Sequence, residues 1–187
     1  MNRKWSIGFT LAELLIALAI LGVIATFTIP KILSAQQNQK FNSIGKETAG
    51  TISEALQKAK LRGEINSSSS FDALTPYLNY VRIEPSSVTI DDVQTGPDQA
   101  CSSSGDVCLR LHNGAIIHYD PGNTFGGTAS TNEIYIDLDP DGQVTDGTTN
   151  GPGKSITFFI YYDGKIRTSA TRLSGANPSL DPPWFSW

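Results

Sequence analysis

Histidine and cysteine are nearly missing from this chain, with two of each among 187 residues. Neither His112 nor His118 has a serine, a cysteine or a paired carboxylate at a spacing diagnostic of a catalytic relay. Both therefore read as ordinary surface or core histidines. A zinc centre built on Cys101 and Cys108 would need two further ligands at suitable spacing. Clustered basic residues are missing too. The 14 Lys and Arg are outnumbered by 18 Asp and Glu, for a formal net charge of −4. A broad nucleic-acid surface usually shows a basic domain, so no nucleic-acid partner is evident. One stretch, Gly151-Pro152-Gly153-Lys154-Ser155, ends like a phosphate-binding loop. Its required first glycine is Thr148, and it leads into a strand pattern where such a loop needs a helix N-terminus. No constellation supports an enzyme.

What the chain has in excess is one apolar run, Phe9 to Ile29, interrupted by a single carboxylate, Glu13, and preceded by the leader MNRKWSIG. As a helix the run rises about 32 Å, enough to cross the hydrocarbon core of a bilayer. Arg3 and Lys4 place the leader on the cytoplasmic side by the positive-inside rule. A carboxylate inside such a run is costly when left alone, so a partner is expected for Glu13. A conventional secretory signal ends in a small-x-small cleavage site beyond its apolar core. Here the small residues near Gly22 and Ala25 fall inside the run. The break in character lies ahead of it, at Gly8-Phe9, and a cut there leaves the whole span in the mature protein.

The stretch Gly8-Phe9-Thr10-Leu11-Ala12-Glu13, followed by Leu14, Leu15, Ile16, Ala17 and Leu18, resembles the class III signal of type IV prepilins and type II secretion pseudopilins. The resemblance covers about the first 35 residues. It implies that a prepilin peptidase in the membrane cuts after Gly8 and methylates the new terminus at Phe9. Glu13 then becomes the fifth mature residue. Gly22 and Pro30 also fall where many members of the family carry helix-loosening residues. Cleavage would create an α-amino group at Phe9, about one helical turn from Glu13. That amine, from the same chain or from the next subunit, is the expected partner of the carboxylate. Pairing between subunits would set their axial register.

Pro30 removes a backbone donor at the end of the run, which predicts a kink or local melting over Ala25–Pro30. From Lys31 the pattern becomes amphipathic. Phe41, Ile44, Thr48, Ile52, Ala55, Leu56 and Ala59 recur at three- and four-residue spacing, and Arg62-Gly63 is the expected stop. Beyond it the chain reads as β-rich. Val107–Leu111 and Ala115–Tyr119 flank His112-Asn113-Gly114, whose Asn-Gly suits a tight type I′ turn. Ile134–Leu138 is a short strand, and Ile156–Tyr162 with Ile166–Thr168 flank Asp163-Gly164 as a second hairpin. This order loosely resembles the heads of minor pilins and pseudopilins over about 60 residues.

With the head outside the cytoplasm, Cys101 and Cys108 are expected to form a disulfide pinning the edge of the first hairpin. Many type IV pilins bracket a much longer C-terminal segment, and the short loop here departs from that pattern. Asp137, Asp139 and Asp141, followed by Gly142, match the start of a calcium loop. Position 12 of that loop is Thr148 and not glutamate. The competing reading is a solvated turn. At the C-terminus, the aromatics of NPSLDPPWFSW are expected to fold back onto the head's edge.

The expected fold class is α+β, a long N-terminal helix packed on a small antiparallel head (pilin-like). Its parts are leader 1–8, transmembrane and assembly helix 9–30, amphipathic helix 31–62 and head 63–187. The expected function is a structural subunit of a type IV pilus or type II secretion pseudopilus. The chain would wait in the bacterial inner membrane with its head in the periplasm, then join other pilin or pseudopilin subunits at the cell surface or in the periplasm. No cofactor is required beyond the Ca²⁺ that the aspartates suggest. The rival reading is a membrane-anchored, calcium-dependent binding domain that never polymerises.

Overall fold

A computed structural model describes residues 10–90, 99–101, 105–126, 132–138, 155–169 and 185–187. The fold is α+β, with one long N-terminal helix and an antiparallel sheet of six strands. The chain divides after Gln39 into two compact units. The helix α1, Leu11–Leu61, supplies most of the first and the opening element of the second. It continues as helix through Pro30, so the segment Ala25–Pro30 is not melted. Proline removes one hydrogen bond, and the leucine, isoleucine and alanine turns preceding it keep theirs.

In the second unit α1 is amphipathic as its spacing predicts. Phe41, Gly45, Thr48, Ala49, Ile52, Ala55, Leu56 and Ala59 are buried, one stripe at helical period. Termination is a Schellman motif. The Glu64 N–H donates to Ala59 O (3.2 Å), the Gly63 N–H donates to Lys60 O (2.9 Å), and Gly63 takes φ +70°. A short 3-10 turn, Phe71–Tyr77, then leads into the strands.

The sheet runs β1 (Tyr80–Ile83), β4 (Val107–Leu111), β5 (Ile116–Tyr119), β6 (Glu133–Asp137), β7 (Ser155–Ile160), β8 (Ile166–Arg167), every neighbour antiparallel. Two further strands, β2 (Thr89–Ile90) and β3 (Gln99–Ala100), pair as a separate ribbon. Five strands were legible in the sequence, those of β4 to β8. The additional ones are short, and β1 is mostly exposed, so they carry little period-2 signal.

Both hairpins differ from a two-residue type I′ turn. Leu111 N–H donates to Ala115 O (2.8 Å), and Gly114 N–H donates to Leu111 O (3.1 Å), which makes a three-residue loop. Tyr161, Gly164 and Lys165 repeat the pattern, at 3.0 and 2.8 Å. In each loop the Asx side chain accepts the N–H two residues on, Asn113 from Ala115 (3.2 Å) and Asp163 from Lys165 (3.0 Å). Gly114 (φ +92°) and Gly164 (φ +95°) take the left-handed position that this longer loop needs.

Alternate residues of the strands close one core with the helix stripe. Leu109, Leu111, Ile117, Tyr119, Ile134, Ile136, Ile156, Phe158 and Ile160 face Ile52, Leu56 and Ala59. Polar contacts tie the layers, with Lys60 Nζ donating to Tyr162 O (2.7 Å) and Asn113 Nδ2 to Thr48 Oγ1 (3.2 Å). The opposite face is buried too. β5 and β7 are buried at every position, and Ile90, Cys101, Cys108 and Ile116 form a second, smaller cluster there.

At the sheet edge, Arg82 and Arg110 stand opposite each other across β1 and β4. Like charges so placed repel. Glu84 sits between them with its side chain wholly buried, bonded to Arg82 Nε at 3.0 Å and also to Arg110 Nε. Burial alone would raise its pKa, but the hydrogen bonds from Arg110 and Arg82 and their charges outweigh it and hold the carboxyl below its ordinary 4.5. The contribution of this pair to stability is therefore complete above the ordinary carboxylate pKa and is lost as pH falls through the depressed value. Glu84→Gln should be less stable than the parent at pH 7, with the two urea midpoints converging as the solution is acidified below pH 4.5. Parallel midpoint-versus-pH curves would show that Glu84 does not hold this charge.

Candidate functional site

The N-terminal unit is described from Thr10 to Gln39 and is helical from Leu11 on. Its large apolar side chains from Leu11 to Leu33 are all exposed, Leu11 at 77% and Phe27 at 72%. Among the described residues, α1 is the one helix long and apolar enough to cross a membrane, and none of its apolar window is buried. The apolar window of a soluble protein's core helix is mostly buried; the Leu11–Leu33 stretch of α1 is exposed, which is compatible with a membrane span or a signal sequence.

Glu13 lies in the first turn of α1. Thr10 N–H and Thr10 Oγ1 both donate to Glu13 Oε2 at 2.8 Å, and Glu13 N–H donates to Thr10 Oγ1 at 3.2 Å. This reciprocal arrangement is a capping box. Two N–H groups that the first turn leaves without helical partners, those of Thr10 and Glu13, find partners without water. A carboxylate also suits the positive end of the helix dipole. The spacing Thr10-x-x-Glu13 before an apolar run is its sequence signature, and the expectation of an amine partner passed over it. The bonds to the Glu13 carboxylate among the described residues both fall on Oε2. Further along, Thr26 Oγ1 donates to Gly22 O (2.8 Å), placing a hydroxyl bond at the glycine one turn ahead.

Gly8 and Phe9 lie outside the described residues, as do Asp139 and Asp141. Asp137 ends β6, opposite Ser155 and Ile116, and is buried. A solvated turn at Asp137 itself is thus excluded, while the rest of the aspartate loop is not described. Among the described residues no group of three or more His, Cys, Asp and Glu side chains converges on one point.

Cys101 and Cys108 are bonded, with S–S 2.10 Å and Cα–Cα 5.6 Å. Cys108 is on β4 and Cys101 follows β3, so the bond ties the small ribbon to the sheet. Cys108 is opposite His118, which is opposite Tyr135. His118 is buried with Nε2 at 3.2 Å from Asp106 Oδ2, whereas His112 is exposed. The two histidines are neither close in role nor joined in one site.

The C-terminal aromatics fold back as expected, in part. Phe185 packs on the core cluster and meets Phe158 at 5.9 Å. Trp187 stacks on Phe158 at 5.8 Å and remains 56% exposed. Gly45 makes the seat, since a Cβ there would stand 2.8 Å from Phe185 Cε2. No family model, curated protein or solved structure matches the chain.

Two outcomes follow for these groups. Thr10→Val removes the hydroxyl from both sides of the box and should cost about 1 kcal/mol of first-turn stability. Amide exchange of the full chain in micelles should then speed up at Glu13 and leave the β7 amides unchanged; equal exchange at Glu13 would mean that the box holds nothing. Cys108→Ser opens a loop with a sequence separation of 7. The chain-entropy relation gives a loss of about 2 kcal/mol in urea unfolding, and a loss well under 1 would show that the ribbon stays docked without it.

Proposed function

We propose that this chain is a structural subunit of a type IV pilus or a type II secretion pseudopilus, and not an enzyme. The observation that carries the reading is the uncovered apolar helix that begins with a carboxylate in its first turn, directly after the Gly8-Phe9 junction. A subunit of this kind waits in the inner membrane with its head in the periplasm. A prepilin peptidase removes residues 1–8 and methylates Phe9. The helix then exchanges lipid for the helices of neighbouring subunits, so the same apolar surface serves in both surroundings. Polymerisation needs a device that selects register along otherwise featureless apolar helices. Glu13 would supply it: Thr10 holds Oε2, and Oε1 would take an ammonium group in a charge-assisted bond.

Calcium remains a second reading for the head alone, motivated by the three alternating aspartates and by the burial of Asp137.

Intact and N-terminal mass spectrometry of the protein from its native membrane tests the main reading. The expected mature chain begins at Phe9 and carries one added methyl group, and Gly8→Arg should leave the leader in place. Glu13→Ala should still be cleaved but should reduce sheared filaments at least tenfold. A chain that keeps Met1–Gly8 in cells with an active prepilin peptidase would overturn the assignment and favour the tethered, non-polymerising domain.

A further inference from the structure

The loop between α1 and the 3-10 turn, residues 64–70, carries a modification signal that neither the membrane helix nor the core uses. In Asn66-Ser67-Ser68 an asparagine is followed two residues on by a hydroxyl, with no proline between them. No other asparagine of the chain meets that condition, and Asn177-Pro178-Ser179 fails on its proline. Asn66, Ser67 and Ser68 are exposed, whereas Ile65 before them is buried and its carbonyl accepts from Tyr162 Oη (3.4 Å). The Ser67 carbonyl lies so near Gly126 that a Cβ there would stand 2.5 Å from it. Backbone contacts thus pin the loop while its side chains stay accessible. Asn66 Oδ1 accepts from the Ser68 N–H (2.8 Å) in an Asx turn, and the Asn66 N–H donates to Ser69 Oγ (2.9 Å). Asn66 Nδ2 and Ser68 Oγ make no hydrogen bond among the described residues.

We propose that Asn66 is an N-glycosylation site, its amide taking an oligosaccharide from a lipid-linked pyrophosphate donor. The site rests on the part of the filament reading that sets the head outside the cytoplasm, the surroundings in which such transfer occurs and in which the Cys101–Cys108 bond persists. In the transfer, Nδ2 attacks the anomeric carbon of the first sugar. A C–N bond forms, the bond from that carbon to the pyrophosphate oxygen breaks, and the lipid pyrophosphate leaves with the electron pair. Nδ2 gives up one proton to a base of the transferase and remains an amide nitrogen. Ser68 Oγ is the hydroxyl by which a membrane oligosaccharyltransferase recognises the acceptor. Glu64, two residues ahead of Asn66, is exposed and bonded to Tyr77 Oη, and its carboxylate offers the transferase a charge to hold.

Glycopeptide mass spectrometry of the full-length protein from its native membrane tests this. The tryptic peptide of residues 63–82 should carry an oligosaccharide mass, which electron-transfer fragmentation places on Asn66. Asn66→Gln and Ser68→Ala should each lower the occupancy at least tenfold, whereas Ser68→Thr, which keeps the hydroxyl, should retain it. An unmodified peptide from a mature chain beginning at Phe9 would overturn the site and leave the subunit reading standing. A sugar on one of the neighbouring serines would overturn it as well. A glycan on Asn66 of a chain that keeps residues 1–8 would support the site and overturn the subunit reading.

Discussion

Exposed apolar surface along the N-terminal half of α1 is the constraint on which the rest of the reading depends. From Leu11 to Leu33 the large side chains all point outward, and a helix is the one open segment that can live in such surroundings, because it satisfies its backbone internally. Pro30 is tolerated for the same reason, since a single missing bond in a long ladder costs less than a loop exposed to an apolar medium. The weak point of any such helix is its first turn, where N–H groups have no helical acceptor. Thr10 and Glu13 answer that need with the chemistry of an ordinary soluble helix cap, placed at the start of an apolar run.

The head solves a different problem with the same element. Past Lys40 the helix alternates small and large residues on its buried stripe, Gly45, Thr48, Ala49, Ile52, Ala55, Leu56 and Ala59, which lets the sheet approach closely. One polar atom in that stripe, Thr48 Oγ1, receives Asn113 from a hairpin loop, so the turn is anchored by the helix that the strands pack against. Tyr119 shows the same economy on the other side. Burial pushes its phenol above the usual range, and its hydroxyl donates to Asp72 (2.9 Å) beside Thr75, locking the 3-10 turn to the sheet. Such fully satisfied buried groups fix one arrangement of a core as firmly as they stabilise it.

Much of this was legible in the residues and some was not, for identifiable reasons. Strong periodicity revealed the helix stripe, the Gly63 stop and the two hairpins, because each is a local pattern with its own turn chemistry. The loop type at Asn113-Gly114 misled, since Asn113 spends its side chain on the Ala115 N–H and so favours a three-residue loop. β1 escaped notice because its residues are mostly exposed and lead into Glu84-Pro85, and Glu84 is meaningful only once Arg82 and Arg110 are known to be opposite each other. Burial of both faces at β7 is a tertiary fact. SITFFI reads the same whether one side or two are covered. The Thr10–Glu13 box is written in the sequence as Thr-x-x-Glu before an apolar run, a signature that the lone charge in that run overshadows.

The capping box bears on what the proposed filament role asks of Glu13. In that role an unpartnered carboxylate would need a cation before it entered an apolar layer. With Oε2 bonded to the Thr10 N–H and hydroxyl, the first turn is already satisfied. An ammonium group from a neighbouring subunit would then gain a charge-assisted bond at Oε1 without breaking the cap. Under the proposal, holding the lone subunit and selecting its register would fall to two oxygens of one side chain, and a plain anchor would have no use for the second.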